Sequence, residues 1–261
     1  MIPANAIRPS RRPRSKKNSA TPSLLDLLQD ECLHHRKGGL YHRIQIDLTY
    51  NSNHIEGSRL THEETRYIFE TNTIGQDGPA NVDDIVETMN HFRCVDFVIQ
   101  NASHRITEKM IKALHFMLKN GTTDSRKAWF AVGDYKKLPN TIGEQETVPP
   151  EKVSEAVKKL LDWYNKLTKP SFDDILDFHV RFERIHPFQD GNGRVGRLLL
   201  FKECLHHNEI PFIITDDLKF YYYRGLHEWQ HEKGYLRDTC LTAQDRFKKI
   251  MAYYLPNTRG K

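Results

Sequence analysis

Twelve consecutive residues hold most of the reactive chemistry of this chain: His186-Pro187-Phe188-Gln189-Asp190-Gly191-Asn192-Gly193-Arg194-Val195-Gly196-Arg197. Pro187 cannot continue a helix and biases His186 away from helical geometry, so the imidazole is presented at a helix end. Gly191 and Gly193 let the backbone turn tightly and approach a ligand closely. A new helix is expected near Arg194, buried by Leu198, Leu199 and Leu200. Its first N–H groups favour an anion. Arg194 and Arg197 share one side of that helix, where each cation opposes the helix dipole by roughly 0.3–1 kcal/mol. That placement makes sense if a polyphosphate arrives, and Asp190 is then a natural ligand for the Mg²⁺ that accompanies it. The histidine titrates near neutral pH and can accept a proton. Metal and arginines would offset the charge of a phosphate leaving group. The plainer alternative is an αα-turn that uses Asp-Gly-Asn-Gly only as turn chemistry, beside a satisfied core histidine. Eight constrained positions within twelve residues weigh against it.

A second pattern, His227-Glu228-Trp229-Gln230-His231, matches the H-E-x-x-H of zinc hydrolases. The metzincin third-ligand position holds Arg237, which has no lone pair for zinc. No glutamate follows Glu232 to serve as a thermolysin-type ligand. A surface helix is the expectation here.

The elements that must position the motif are helical. Thr21-Pro22 resembles a cap with proline at the first helical position, ahead of Leu24, Leu25, Leu27 and Leu28. A helix is expected over about 40–55, with Ile44, Leu48 and Ile55 on one face and Gly57 as the stop. Thr61 with Glu64 forms a capping box, and Asn81 caps a longer segment carrying Ile85, Met89, Phe92 and Phe97. Another helix begins at Ile106-Thr107, with Met110, Leu114, Met117 and Leu118 inward. Residues 121–150 carry glycines, prolines and short β-leaning pieces, which reads as a loop with a small hairpin. Helical pattern resumes at Pro149-Pro150. Ser171 with Asp174 caps the helix that leads into the motif, and 218–255 is again helical. The fold class is mostly α, a helical bundle with one β-containing excursion.

Bulk properties fit a globular chain of 261 residues, with 38% hydrophobic and 28% charged residues. The formal charge of +5 includes six cations and no acid within residues 1–20, which leaves about −1 for the rest. That basic tail is read as a disordered, solvated segment; contact with nucleic acid or an acidic partner and a transit peptide are its alternatives. No secretory pattern and no membrane-spanning run is visible. Cys32, Cys94, Cys204 and Cys240 lack metal-type spacing and read as reduced, buried thiols in a cytoplasmic protein. Residues 21–261 are expected to form a single domain.

The motif matches H-x-F-x-(D/E)-G-N-G-R-x-x-R, and on these residues the chain resembles the Fic family of protein adenylyltransferases. Similarity extends from about Leu24 to Tyr254. The resemblance implies a Fic-type helical bundle that transfers AMP from Mg·ATP to a hydroxyl side chain (Ser, Thr or Tyr) of a target protein. It makes His186 the general base and Asp190 the Mg²⁺ ligand. Gly191, Asn192, Gly193 and Arg194 become the phosphate cradle, and Arg197 grips the terminal phosphate. A second copy of the chain is a candidate partner, whereas nucleic acid and membrane are not expected.

Ser52-Asn53-His54-Ile55-Glu56-Gly57 resembles the family's inhibitory motif (S/T)-x-x-x-E-(G/N). Glu56 ends its helix where the dipole disfavours a carboxylate, and Ser52 and Glu56 share a face. The resemblance implies that Glu56 pairs with Arg197 and blocks the seat of the ATP γ-phosphate; in some relatives the equivalent glutamate also supports removal of the nucleotide. Gly133, Tyr135, Lys136 and Leu138 fall where the family carries a target-docking flap, with Lys136 in place of a common arginine. The competing readings are a nucleotide-binding regulator with little turnover, and transfer of another nucleotide monophosphate.

Overall fold

The computed structural model describes residues 23–75 and 80–255. The basic tail and the Thr21-Pro22 pair lie outside the described residues. The first helix, α1 (Leu24–Leu33), is instead capped by Ser23, whose hydroxyl accepts from Asp26 N while the Asp26 carboxylate accepts from Ser23 N. A reciprocal capping box satisfies two otherwise orphan donors, so it fixes the start one residue past the proline.

Helices α2 (Leu40–Ile55), α3 (His62–Thr71), α4 (Val82–Gln100) and α5 (Glu108–Lys119) follow, with Thr61, Asn81 and Thr107 as side-chain caps. After α5 comes an irregular stretch holding a two-stranded antiparallel hairpin, β1 (Thr141–Ile142) and β2 (Gln145–Glu146), in which Thr141 pairs with Glu146. Then come α6 (Pro150–Tyr164), α7 (Phe172–Ile185) and α8 (Asn192–His206). The chain closes with α9 (Lys219–Glu228) and α10 (Gly234–Tyr254).

The core gathers around α8, which is buried along nearly its whole length. Val195, Leu198, Leu199, Phe201 and Leu205 meet Phe178 and Phe182 of α7, Val95 and Ile99 of α4, Leu114 of α5 and Phe247 of α10. A second cluster joins Leu176 and Val180 of α7 to Leu200, Tyr222, Trp229, Leu236 and Cys240. All four cysteines are buried and unbridged.

The helix carrying Glu56 is no peripheral arm. Leu40, Tyr41, Ile44, Leu48 and Ile55 are buried, and so are the polar Gln45, Thr49, Ser52 and Asn53. Five buried apolar side chains at about 1.5–3 kcal/mol each are worth roughly 7–15 kcal/mol, so α2 cannot leave as a unit without unfolding. Its end is freer: Gly57 takes φ +99°, a left-handed conformation that lets the chain turn away directly after Glu56.

Candidate active site

His186 closes α7 as its C-cap with φ +50°, a left-handed geometry uncommon for a side-chain-bearing residue. Its Nδ1 lies 3.2 Å from the Glu183 carbonyl, which can only accept, so Nδ1 carries the proton and Nε2 keeps the lone pair. Burial lowers the imidazole pKa and outweighs the neighbouring acids, and the Lys136 ammonium lowers it further. The ring is therefore a free base at neutral pH.

Phe188 anchors the following turn. It stacks on His115 with centroids 3.9 Å apart, and the tilted ring of Tyr135 lies 6.1 Å away. His115 is neutral, its pKa pushed down to about 3 by burial. The Asn192 amide is a structural clamp: Oδ1 accepts from Phe188 N and Nδ2 donates to Phe188 O, both at 2.8 Å. Helix α8 thus starts at Asn192, two residues before the expected Arg194, because Gly191 at φ +80° turns the chain straight into it.

The two arginines of α8 have different company. Arg194 is buried against Glu87 of α4 and reaches Asp190 Oδ2 at 3.2 Å. Lys119 of α5, also buried, pairs with Glu87 and approaches Asp190 Oδ2 at 2.6 Å and Asp124 at 3.4 Å. Although desolvation works the other way, Arg194 and Lys119 hold the half-exposed Asp190 carboxyl well below the usual carboxylate range. Glu87 and Lys119 are site residues that motif reading missed; the only signal was that each is a charged residue inside an apolar helical pattern.

Arg197 faces α2. Its guanidinium donates to Glu56 Oε1 at 2.7 Å, to Ser52 O at 2.9 Å and, through Nε, to Ser52 Oγ at 3.1 Å. Burial would raise the Glu56 pKa, but Arg197 and Arg194 overcome it and hold it below the usual value. A Cβ at Gly193 would collide with Glu56 Oε1, so the carboxylate rests directly on the glycine turn. Glu183 lies beneath, its carboxyl filling the space that a Cβ on Gly196 would take, and burial pushes its pKa up to about 8.

These groups open on one cleft of about 670 Å³, lined by Glu56, His186, Gly193 and Arg197 on one side. Val180, Tyr223 and Leu226 supply an apolar wall, and residues 141–145 form the rim.

The flap residues divide. Leu138 is exposed, with its N–H donating to Gln189 Oε1 at 3.2 Å. Gly133 takes φ +74° and donates to His115 Nδ1 at 3.0 Å. Tyr135 packs on Phe188 beneath Lys112, and Lys136 is only 3% exposed. The strands, at 141–142 and 145–146, fall within the expected 121–150 segment but downstream of Gly133, Tyr135, Lys136 and Leu138, and Tyr135 and Lys136 are drawn inward. Leu138 and Ile142 of β1 are thus open to solvent, and Lys136 is not.

The H-E-x-x-H residues form no metal site. Helix α9 ends at Glu228, Trp229 is buried and donates to Asp177 at 2.8 Å, and His227 turns back onto Glu228. Among the described residues no group of three His, Cys, Asp or Glu could hold a metal, and no helix is long and apolar enough to cross a membrane.

Fold and site together define a helical domain in which a neutral histidine, a helix N-terminus and Arg197 converge on one cleft. Residues 105–203 match the Fic/DOC family, and the fold is of the Fic type. Protein adenylyltransferase fic-1 of Caenorhabditis elegans is 35% identical over 89 residues, which cover 33% of this chain and 18% of that protein. Protein adenylyltransferase Fic of Drosophila willistoni is 27% identical over 182 residues, 68% of this chain and 35% of its own length. The chain thus spans well under half of these curated relatives. A Fic domain containing signaling protein from Bacteroides thetaiotaomicron superposes with a TM-score of 0.65 at 25% identity, covering 88% of this chain and 92% of that one. Fic-1 from C. elegans gives 0.67 at 22% identity, covering 87% and 69%, a likeness of fold.

Proposed function

We propose that this chain is an autoinhibited protein adenylyltransferase. The observation that carries the reading is the 2.7 Å pair between Glu56 and Arg197 in the cleft that also presents His186. The target hydroxyl oxygen attacks the α-phosphorus of ATP, the bond to the bridging oxygen of the β-phosphate breaks, and pyrophosphate leaves. His186 Nε2 takes the hydroxyl proton, which its tautomer and lowered pKa allow. The α8 N-terminus and Gly193 receive phosphate oxygens, and Arg194 and Arg197 face the charge that develops on the leaving group. The apolar wall of Val180, Tyr223 and Leu226 suits a nucleobase.

Asp190 fits Mg²⁺: it is ionised, half exposed, and a single carboxylate suffices for a cation that completes its shell with phosphates and water. Bound there, Mg²⁺ would offset phosphate charge and help align the triphosphate. While Glu56 holds Arg197, the γ-phosphate has no guanidinium to meet and the α-phosphorus is not presented in line. The buried, unbridged thiols suit a reducing cytoplasm.

Wild type, Glu56→Gly and Glu56→Gly/His186→Ala are incubated with Mg²⁺, α-labelled ATP and candidate protein substrates, the chain itself included. Label should rise in the single mutant and vanish in the double. ATP binding without label in any of the three would favour a nucleotide-binding regulator instead.

A further inference from the structure

Lys136 stands outside the twelve-residue motif, yet it grips the backbone on both sides of the base. Its own N–H donates to Pro187 O at 2.9 Å, and its ammonium reaches Ile185 O at 3.5 Å. Between those two carbonyls lies His186 in its left-handed conformation. Such a conformation costs of order 1 kcal/mol or more in a residue with a side chain and persists only where neighbours over-determine it.

The same ammonium donates to Asn140 Oδ1 at 2.7 Å and Thr147 Oγ1 at 2.6 Å. Asn140 precedes β1 and Thr147 follows β2, so both limbs of the hairpin are tied to one nitrogen. Asn140 in turn donates to Phe188 O at 2.9 Å. The three donors of the ammonium thus meet three neutral acceptors, and no carboxylate offsets the buried charge. Burial accordingly lowers the Lys136 pKa to about 8.

We propose that Lys136 is a positioning residue that holds His186 in its reactive conformation and couples the base to the hairpin. The inference rests on the nucleotidyl-transfer reading for its catalytic consequence, though not for its geometry. A target segment that pairs with the hairpin edge pulls on Asn140 and Thr147, and through one amine on the carbonyls flanking His186. Docking and alignment of the base then become one event, instead of two independent ones. The charge acts as well. The groups that bear on His186 are Lys136 from the flap, Glu56 from the end of α2, Asp190 from the α8 turn and the carbonyl end of α7 at Glu183. Lys136 is the cation among them, and it favours the neutral imidazole.

The test places Lys136→Met and Lys136→Gln in the Glu56→Gly background. Lys136→Met removes both charge and hydrogen bonds; Lys136→Gln removes the charge but keeps an amide able to donate to Asn140 and Thr147. The His186 ring is titrated by nitrogen-detected NMR without nucleotide, and labelling is followed at saturating ATP across pH. Both variants should move the His186 midpoint upward by on the order of half a unit, and the acid limb of the rate profile should follow. Lys136→Met should also lower kcat about tenfold with the KM for ATP unchanged, whereas Lys136→Gln retains most of the rate. An unmoved His186 midpoint in Lys136→Gln, which also serves if Lys136→Met does not fold, would overturn the proposal. Equal losses of kcat in both variants, tracking lost thermal stability, would overturn it too. A shifted midpoint with no label in any variant would uphold the geometry and sink the transfer reading instead.

Discussion

Arg194 and Arg197 sit one turn apart on the same helix, both buried and both paired, yet they belong to different kinds of network. Arg194 is locked among Glu87, Asp190 and Lys119, which come from α4, the α8 turn and α5. All of these pack into the same core, and no member can withdraw without stranding another buried charge. Arg197 is held by Glu56, the C-cap of α2, whose side chain is 29% exposed and is followed by a glycine pivot. One arginine is furniture of the site; the other has a partner that can be exchanged. A buried ion pair therefore says little about regulation until the freedom of its partner is known.

The sharpest way to break this contrast is through stability. Arg194→Ala should cost about 3–5 kcal/mol in denaturant unfolding, because it leaves Glu87 and Asp190 undercompensated. Arg197→Ala should cost about 1–2 kcal/mol, since Glu56 can turn to water and Ser52 loses only hydrogen bonds. Equal losses would erase the distinction. Next in size, Glu56→Gly should raise labelling on the order of 100-fold, equivalent to about 2.7 kcal/mol. It should also lower Tm in a way that Mg·ATP restores, as the buried guanidinium regains an anion.

A smaller effect belongs to Ser52. Ser52→Ala removes the hydroxyl that accepts from Arg197 Nε but leaves the carbonyl contact, so labelling should rise about fivefold. Smallest of all is the response to pH. The Glu56 carboxyl is held below its ordinary value of 4.5, so the pair is fully present above that value and is lost only as pH falls through the lower folded value. The labelling ratio of Glu56→Gly to wild type should stay flat between about pH 6 and 8. A ratio that collapses on mild acidification would show that another group controls the contact.

What could be read from the sequence follows the range of the interactions involved. The bounds of α2 and the caps Thr61, Asn81, Thr107 and Ser171 rest on contacts within three or four residues, and all are where pattern placed them. The turn of His186 and the left-handed Gly191 are equally local. Glu87 and Lys119 escaped notice because their partners lie 107 and 71 residues away, and ion-pair choice at that distance is made by packing. Lys136 misled for the opposite reason: a lysine in a polar loop belongs outside by composition, but three neutral acceptors converge where the backbone carries it. The polar residues of α2 likewise gave no hint of burial, since Gln45 and Thr49 are accommodated by Asp96 and His91 across the interface.

The bare backbone at Gly193 has an evolutionary consequence. The space left by its missing side chain seats the Glu56 carboxylate, and in the proposed function the same space receives phosphate oxygens. On that reading any side chain there displaces Glu56 and obstructs the phosphates in one stroke. Hyperactive alleles therefore cannot arise at position 193, and a genetic screen for them should return changes clustered on Ser52, Glu56 and Gly57.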